Sequence, residues 1–212
     1  MLAPSRSTNL PKSTAEGQIS KISIGETPKQ LNDPVALVGY NADWPELFRR
    51  EAQRVATALG SRALEIERVG STSVPGLTAK PIIDILLVVA NSADERSYVP
   101  ALEAARFVLR VGEPHWHEHR LFKGPGTPIN LHVFTRGDDE IERMLFFRDW
   151  LRKNPADREL YARTKRELAQ LNWKQVQNYA DAKSKVVETI ITRARKKNHG
   201  KKSDRQAAAR KT

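Results

Sequence analysis

The amino-acid sequence predicts an α/β fold, in which a mixed β-sheet packs against helices and three helices close the chain. Residues 82–89 are almost continuously aliphatic, as expected of a strand that is covered on both faces. From residue 137 onward the apolar positions recur at helical spacing. The same spacing gives an earlier segment one apolar face, formed by Leu47, Phe48, Ala52, Val55 and Leu59.

The first half of the chain predicts one helix and two strands. Asp43 has the chemistry of a helix N-cap, Glu46 completes a capping-box spacing, and Gly60 is suited to end the helix. Residues 64–69 form a short strand candidate, and residues 70–78 form a turn rich in Gly, Ser, Thr and Pro. The aliphatic strand therefore follows a loop of small, hydroxyl-bearing residues.

The second half predicts a hairpin and four helices. Residues 98–110 have a helical pattern, with Pro100 tolerated in the first turn. Residues 120–123 and 129–135 are strand candidates whose connection is short enough for a hairpin, so the sheet is expected to be mixed. The three closing helices are predicted over residues 139–153, 157–171 and 175–195, with Pro155 dividing the first two.

The chain of 212 residues fits one domain with two tails. We expect a disordered N-terminal tail over residues 1–33, the domain over residues 34–195 and a basic disordered tail over residues 196–212. The net charge is +11, but residues 193–212 hold nine basic residues and one acid. The domain itself is therefore close to neutral, and the tail is either solvated or a weak, salt-sensitive contact for nucleic acid.

Composition also excludes several classes of site. Cysteine is absent, which excludes disulfides, thiol nucleophiles and Cys-ligated zinc within this sequence. No apolar run approaches the roughly 20 residues that a membrane span needs, and the N-terminal residues lack the apolar core of a signal peptide. We therefore expect a cytoplasmic protein that does not engage a membrane.

The stretch over residues 69–86 carries the most chemical information. Gly70 lets the backbone approach a ligand closely, and the following Ser-Thr-Ser offers hydroxyls and N–H donors that can cradle phosphate. Asp84 interrupts the aliphatic strand, where a lone carboxylate must find hydrogen bonds, a cation or a metal ion. A carboxylate opposite a phosphate loop suits Mg²⁺-assisted phosphoryl or nucleotidyl transfer. The alternative is a structural loop with Asp84 paired to an Arg or Lys.

This stretch resembles a known family. The run GSTSVPGL-x-x-KPIIDI, from Gly70 to Ile85, is similar to the signature of the GrpB family, which is placed in the nucleotidyltransferase superfamily. The resemblance extends over residues 36–195 and implies a nucleotidyltransferase-like mixed sheet flanked by helices, with a C-terminal three-helix segment. Further similar stretches are YNADWP (40–45), NLHV (130–133), FRDWLR (147–152) and the pairs Tyr161-x-x-x-Lys165 and Tyr179-x-x-x-Lys183.

The resemblance implies a glycine-serine pair that contacts a nucleotide triphosphate and an Asp-x-Asp/Glu pair that holds two divalent ions, Mg²⁺ or Mn²⁺. Gly70 and Ser71 match the first element, and Asp84 matches the first acid, as catalytic residue and metal ligand. Leu86 stands at the second acid position, so this strand cannot supply a full two-metal site. His132 is the nearest candidate for the missing metal ligand, with a structural histidine as the alternative.

Cationic side chains would complete a phosphate site. Lys80, between the loop and the strand, is the best candidate for contact with phosphates. Arg148, Lys165 and Lys183 are further candidates, each with a surface ion pair as the alternative. The predicted nucleotide- or phosphate-binding residues are Gly70, Ser71, Thr72, Ser73, Lys80, Arg148 and Lys183.

Three histidines form a separate candidate. In an extended segment His115, His117 and His119 would share one face and could hold Zn²⁺ or Ni²⁺. Pro114 and the polar surroundings favour a flexible loop instead.

Two classes of function follow. The first is a nucleotidyltransferase-like domain that binds a nucleotide or another small phosphorylated ligand with Mg²⁺ and transfers a nucleotidyl group. The second is a non-catalytic ligand-binding domain or an accessory, protein-folding helper domain, because Leu86 leaves the acidic metal motif incomplete. The family resemblance implies a precedent for such a helper in relatives that are fused to dephospho-CoA kinase. The sequence contains no GxxxxGK[ST] phosphate loop, so this chain does not match such a kinase itself.

Overall fold

The computed structural model describes residues 22–23, 36–171 and 182–197. Its helices are α1 (Trp44–Leu59), α2 (Val99–Ala104), α3 (Asp139–Lys153), α4 (Pro155–Ala169) and α5, described over 182–197. Its strands are β1 (Ile22–Ser23), β2 (Glu65–Val69), β3 (Ile83–Val89), β4 (Val108–Glu113), β5 (His119–Lys123) and β6 (Ile129–Thr135). Across these ranges, no helix has both the length and the apolar character needed to span a bilayer.

The strands form one mixed sheet in the order β1, β4, β5, β6, β3, β2. Strands β3 and β6 run parallel, and every other neighbouring pair is antiparallel. The parallel register sets Asp84 beside Asn130 and Leu86 beside His132. The predicted α/β fold and the predicted β5–β6 hairpin are therefore confirmed.

The two faces of β3 are buried against different helices, because successive side chains of a strand point to opposite faces. Ile83, Ile85 and Leu87 join the main core, which includes apolar residues of α1 and α2. Leu86 and Val88 point the other way and join a smaller core with residues of β6 and α3. Asp84 lies on this second face at the start of the strand, next to its apolar part.

The loop between β2 and β3 is held against the closing helices. Val74 and Leu77 are 1% and 0% exposed and pack in a third core with residues of α3, α4 and α5. The Arg152 guanidinium of α3 donates to the Ser73 carbonyl from Nε at 3.1 Å and from Nη2 at 2.9 Å. Packing and hydrogen bonds thus fix the position of the loop over the sheet.

The predicted helix over residues 98–110 is wrong in its second half. Helix α2 ends at Ala104, Arg106 takes a left-handed backbone with φ of 70°, and the chain then enters β4. Leu109 is buried on this strand, which pairs with β5. Tertiary pairing therefore overrode a helical pattern that continued past the true helix end.

Smaller differences concern the ends of elements. Asp43 stands at the N-cap of α1, but its side chain accepts no capping hydrogen bond. Helix α4 begins two residues before the predicted start, with Pro155 in its first turn, where its missing N–H costs nothing. Within the predicted N-terminal tail, Ile22–Ser23 pair with β4 at the edge of the sheet. The other residues of both predicted tails lie outside the described ranges, except 196–197 in α5.

Candidate functional site

Gly70 lies directly over the Asp84 carboxylate. Val69, the last residue of β2, pairs with Asp84, and Gly70 then turns the chain with φ of 68°. A Cβ atom at position 70 would lie 2.1 Å from Asp84 Oδ2 and 2.8 Å from its Cγ. A glycine is therefore required here both for its backbone angle and for the space that Asp84 occupies.

The three hydroxyl residues after Gly70 have different surroundings. Ser73 is fully buried, and its Oγ donates to the Gly70 carbonyl at 2.6 Å, so this hydroxyl is used within the loop. Thr72 Oγ1 donates to the Ile82 carbonyl at 3.3 Å. Ser71 Oγ instead accepts from Lys165 Nζ at 3.1 Å. Ser71 is thus the hydroxyl best placed to meet a ligand.

Four lysines and one carboxylate surround a cavity of about 280 Å³ beside this loop. The lysines come from four different segments: Lys80 precedes β3, Lys123 ends β5, Lys165 lies on α4 and Lys183 on α5. We call this cavity the lysine cleft. Its wall also includes Ser71, Thr72, Asp84 and Asn130.

Lys165 is the most deeply buried of the four lysines, with 2% of its surface exposed. Its Nζ donates to Ser71 Oγ and to the Thr78 carbonyl. Burial, together with the nearby charges of Lys183 and Arg166, lowers the pKa of Lys165 to about 7, although the Asp84 carboxylate acts in the opposite direction. At neutral pH this amine can therefore both donate and accept a proton.

Lys80 and Lys123 also have lowered pKa values. Burial lowers the pKa of Lys80, and the charges of Lys183 and Lys123 act in the same direction. Burial also lowers the pKa of Lys123, while Asp84 partly offsets the effect. An anion entering the cleft would favour the charged forms of these amines. The arrangement is chemically suited to bind a phosphate or a similar anion.

Asp84 lies beside a row of hydrogen-bonded side chains that come from β6, β5 and β4. Its Oδ1 accepts from Asn130 Nδ2 at 2.7 Å and lies 3.6 Å from His132 Nε2. His132 Nδ1 lies 3.1 Å from His119 Nε2, and His119 Nδ1 lies 2.7 Å from Glu113 Oε2. Hydrogen bonds thus join Glu113, His119 and His132 in a row, whereas His132 Nε2 faces Asp84 from beyond hydrogen-bond distance.

The surroundings of Asp84 do not fit a pair of protein-held divalent ions. Leu86, at the second acid position, is fully buried in the apolar core against α3. Among the residues that the structure describes, the potential ligands beside Asp84 Oδ1 are one imidazole and one amide, and four lysines line the same cavity. A single ion held by Asp84 and His132 fits this donor set only if a bound anion supplies further oxygens.

A different group of side chains has metal-ligand spacing. In the described residues, potential ligand atoms of His117, Asp138 and Asp139 lie within 4.8 Å of one another. His117 Nδ1 is 2.9 Å from Asp138 Oδ1 and 3.3 Å from Asp139 Oδ1. Asp138 also accepts from the backbone N–H of Glu140 and so caps α3. The group lies between the turn that precedes β5 and the start of α3, and it shares no residue with the lysine cleft.

The three histidines predicted to share a face do not do so. His117 and Glu118 take left-handed backbone conformations, with φ of 54° and 46°, which turn the chain between the imidazoles. His117 meets the start of α3, whereas His119 is buried in β5 and stacks on Phe134 at 4.8 Å between ring centroids. This segment is therefore a tight turn entering a strand.

The structure brings some predicted site residues together and separates others. Ser71, Thr72, Lys80, Asp84 and Lys183 line the lysine cleft. Gly70 and His132 do not line the cleft themselves, but both lie against Asp84, which does.

Ser73 and Arg148 lie apart from the cleft. The Arg148 guanidinium donates to Glu67, to Asp149 and to the Arg68 carbonyl, which ties α3 to the end of β2.

Sequence reasoning did not assign Lys123, Asn130 or Glu113 to the site, and it placed His119 only in the separate histidine candidate. Lys123 and Asn130 meet through the β5–β6 register, which no local pattern shows. Lys165 was a candidate on the Tyr-x-x-x-Lys pattern, but its full burial could not be read from a helix rich in charged residues.

Comparisons of the sequence and of the structure with known proteins point to the same family. The model of the GrpB protein family matches residues 34–193. A UPF0157 protein of Halalkalibacterium halodurans is 59% identical over 177 residues, which is 84% of this chain and 90% of that protein. The crystal structure of GrpB from Enterococcus faecalis is 34% identical with a TM-score of 0.66, and the match covers 77% of this chain and 99% of that one.

A longer protein contains a related segment. Dephospho-CoA kinase of Mycolicibacterium paratuberculosis is 32% identical over an alignment of 163 residues, and the match covers 65% of this chain and 40% of the kinase.

Replacing Gly70 tests the contact with Asp84. Gly70→Ala should lower the free energy of unfolding by about 1–3 kcal/mol more than Gly76→Ala, because its new Cβ overlaps the carboxylate. Gly76 is the matched control, since it also has positive φ, at 76°, but faces open space. Chemical denaturation measures both. Equal losses in the two variants would show that only the backbone angle matters.

The buried amine of Lys165 predicts a pH-dependent stability difference. Between pH 7 and about 10 the unfolded chain binds a proton at Lys165 that the folded chain does not, so the wild type should gain stability with rising pH. The variant Lys165→Met has no ionisable amine at this position, so its unfolding free energy lacks this contribution to the pH dependence. The unfolding free energy of the wild type minus that of the variant should therefore rise by up to about 1.4 kcal/mol per pH unit. A difference that stays flat over this range would contradict the buried, deprotonated amine.

Proposed function

The chain belongs to the GrpB family, and on this premise we propose that it binds a small phosphorylated ligand, such as a nucleotide, in the lysine cleft. The observation that carries the proposal is the convergence of four lysines from four segments on one cavity, whose lining in the described part of the chain also includes the Asp84 carboxylate. An anion bound among these ammonium groups would reduce their mutual repulsion. Phosphate groups supply that charge and accept the hydrogen bonds that ammonium groups donate.

The loop supports the same assignment. Ser71 faces the cavity and shares a hydrogen bond with Lys165, so one phosphate oxygen could be met by a hydroxyl and an amine together. Because Arg152 and the buried Val74 hold the loop, these groups are in place before a ligand arrives. Preorganisation of this kind lowers the entropic cost of binding.

The shape of the site favours a small molecule over nucleic acid. The lysines surround a cavity of about 280 Å³, whereas nucleic-acid binders spread cationic groups along an open face. The basic tail remains a separate, weak candidate for polyanion contact, and its residues after 197 lie outside the described ranges.

Calorimetric titration with inorganic tripolyphosphate tests the cleft directly. Lys80→Gln and Lys183→Gln should each weaken binding about 10-fold, the loss of roughly 1.4 kcal/mol expected when one charged hydrogen-bond donor is removed. Lys185→Gln is the matched control, because Lys185 is on the same helix as Lys183 but exposed and outside the cleft. The proposal fails if the wild type binds no tripolyphosphate, or if Lys185→Gln weakens binding as much as Lys183→Gln.

Nucleotidyl transfer is the second candidate function, favoured by the position of Asp84 under the Gly70–Ser71 loop and inside the lysine cleft. The oxygen of an acceptor hydroxyl would form a bond to the α-phosphorus and its proton would pass to solvent water. The bond from the α-phosphorus to the α,β-bridging oxygen would break, and pyrophosphate would leave with that oxygen. Asp84 and His132 would hold one Mg²⁺ or Mn²⁺, which would offset negative charge on the phosphates. The accessory-domain alternative is supported by the related segment within dephospho-CoA kinase.

Substitution of Asp84 separates the two functions. If the chain is a transferase, it should release labelled pyrophosphate when it is incubated with labelled nucleoside triphosphates, Mg²⁺ or Mn²⁺, and a cell extract that supplies the acceptor. Asp84→Asn should then abolish that release while metal-free tripolyphosphate binding stays within about 10-fold of the wild type, because the carboxylate adds no attraction for an anion. Release that is unchanged in Asp84→Asn would remove Asp84 from the chemistry. A wild type that binds triphosphate but releases no pyrophosphate would favour the accessory domain.

A further inference from the structure

A second cavity, of about 210 Å³, also borders the Gly70–Ser71 loop and adjoins the lysine cleft at Ser71. We call it the aromatic pocket. It is smaller than the roughly 300–1,000 Å³ that drug-sized ligands occupy, so it suits one ring system. Its apolar wall comes from the loop and the closing helices and consists of Val74, Met144, Phe147, Leu151, Tyr161 and Val187.

The two cavities share a wall and are aligned by two helices. Ser71 lines both cavities. Helix α4 places Tyr161 in the aromatic pocket and Lys165 in the lysine cleft, and α5 places Val187 and Lys183 in the same two cavities. Both pairs are four residues apart, which corresponds to about 6 Å along a helix. Lys165 Nζ lies 4.8 Å from the centroid of the Tyr161 ring, so the charged and apolar regions meet at this contact.

The polar groups of the aromatic pocket suit a ring with hydrogen-bonding edges. Phe147 and Tyr161 meet edge to face at 5.3 Å between centroids and offer apolar and aromatic surface. Glu140 and Arg143 lie at the same pocket, paired at 2.8 Å, and burial raises the pKa of Glu140. A carboxyl and a guanidinium can together accept from and donate to the edge of a heteroaromatic ring.

We propose that one ligand occupies both cavities, with its phosphates in the lysine cleft and a planar heteroaromatic base in the aromatic pocket. The ligand class is therefore a nucleotide, and Ser71 lies at the junction between its two parts. This inference rests on the proposed function, because it requires phosphate in the lysine cleft. The residues of α4 and α5 that line the two cavities are about one helical turn apart, a distance that the sugar joining a base to its phosphates can span.

Titration calorimetry without metal, comparing ATP, GTP, CTP and UTP with inorganic tripolyphosphate, tests the inference. At least one nucleotide should bind the wild type 10-fold or more tightly than tripolyphosphate. Val187→Phe fills the aromatic pocket and should reduce that nucleotide to the affinity of tripolyphosphate, while tripolyphosphate binding is unchanged. Lys183→Gln, one turn away, should weaken both ligands alike.

Two further variants keep the result interpretable. Met144→Phe fills the same pocket from α3 and should reproduce the effect of Val187→Phe if that variant folds poorly. Thr189→Phe adds the same bulk at an exposed position of α5 and should change neither affinity.

The possible failures are distinguishable. If tripolyphosphate binds and no nucleotide binds more tightly, or if filling the pocket weakens tripolyphosphate equally, the aromatic pocket holds no base and the lysine cleft still binds phosphate. If the wild type binds neither tripolyphosphate nor any nucleotide, the proposed function and this inference are both overturned.

Discussion

The contact between Gly70 and the Asp84 carboxylate sets the geometry on which the candidate site depends. Because β2 pairs with β3 up to Val69 and Asp84, the chain must leave the sheet directly above that carboxylate. Only a residue without a side chain can turn there, and the turn carries Ser71 into the wall of the lysine cleft. The buried Val74 and the Arg152 hydrogen bonds then fix the loop against α3. A shift of this turn would move the Ser71 hydroxyl, and with it the boundary between the two cavities, relative to the Asp84 carboxylate.

Electrostatics distinguish this cleft from a site built to hold metal ions. A two-ion centre needs several carboxylates, yet the second acid position holds the fully buried Leu86, and the cleft is lined by four lysines. Asp84 is oriented by a hydrogen bond from Asn130 and lies beside His132. A cavity lined by four lysines is better suited to a phosphorylated ligand than to bare divalent cations.

The helices that close the chain do more than cover the sheet. Helices α4 and α5 each present a lysine to one cavity and an apolar residue to the other. The same packing that buries Tyr161 and Ile190 with the loop therefore positions Lys165 and Lys183. Stability and the candidate function are coupled through these helices, because a substitution that loosens the third core would also displace the lysines.

The sequence by itself determined the elements with strong local patterns and the motif between them. The aliphatic strand, the amphipathic α1, the hairpin and α3 were all predicted within a few residues, and the Gly70–Asp84 run identified the family. The end of α2 was not predicted, since the pairing of β4 with β5 decides it. Only the tertiary structure decided that lysines at positions 80, 123, 165 and 183 converge. Local periodicity reports which face of an element is buried, whereas long-range packing decides which side chains that face meets.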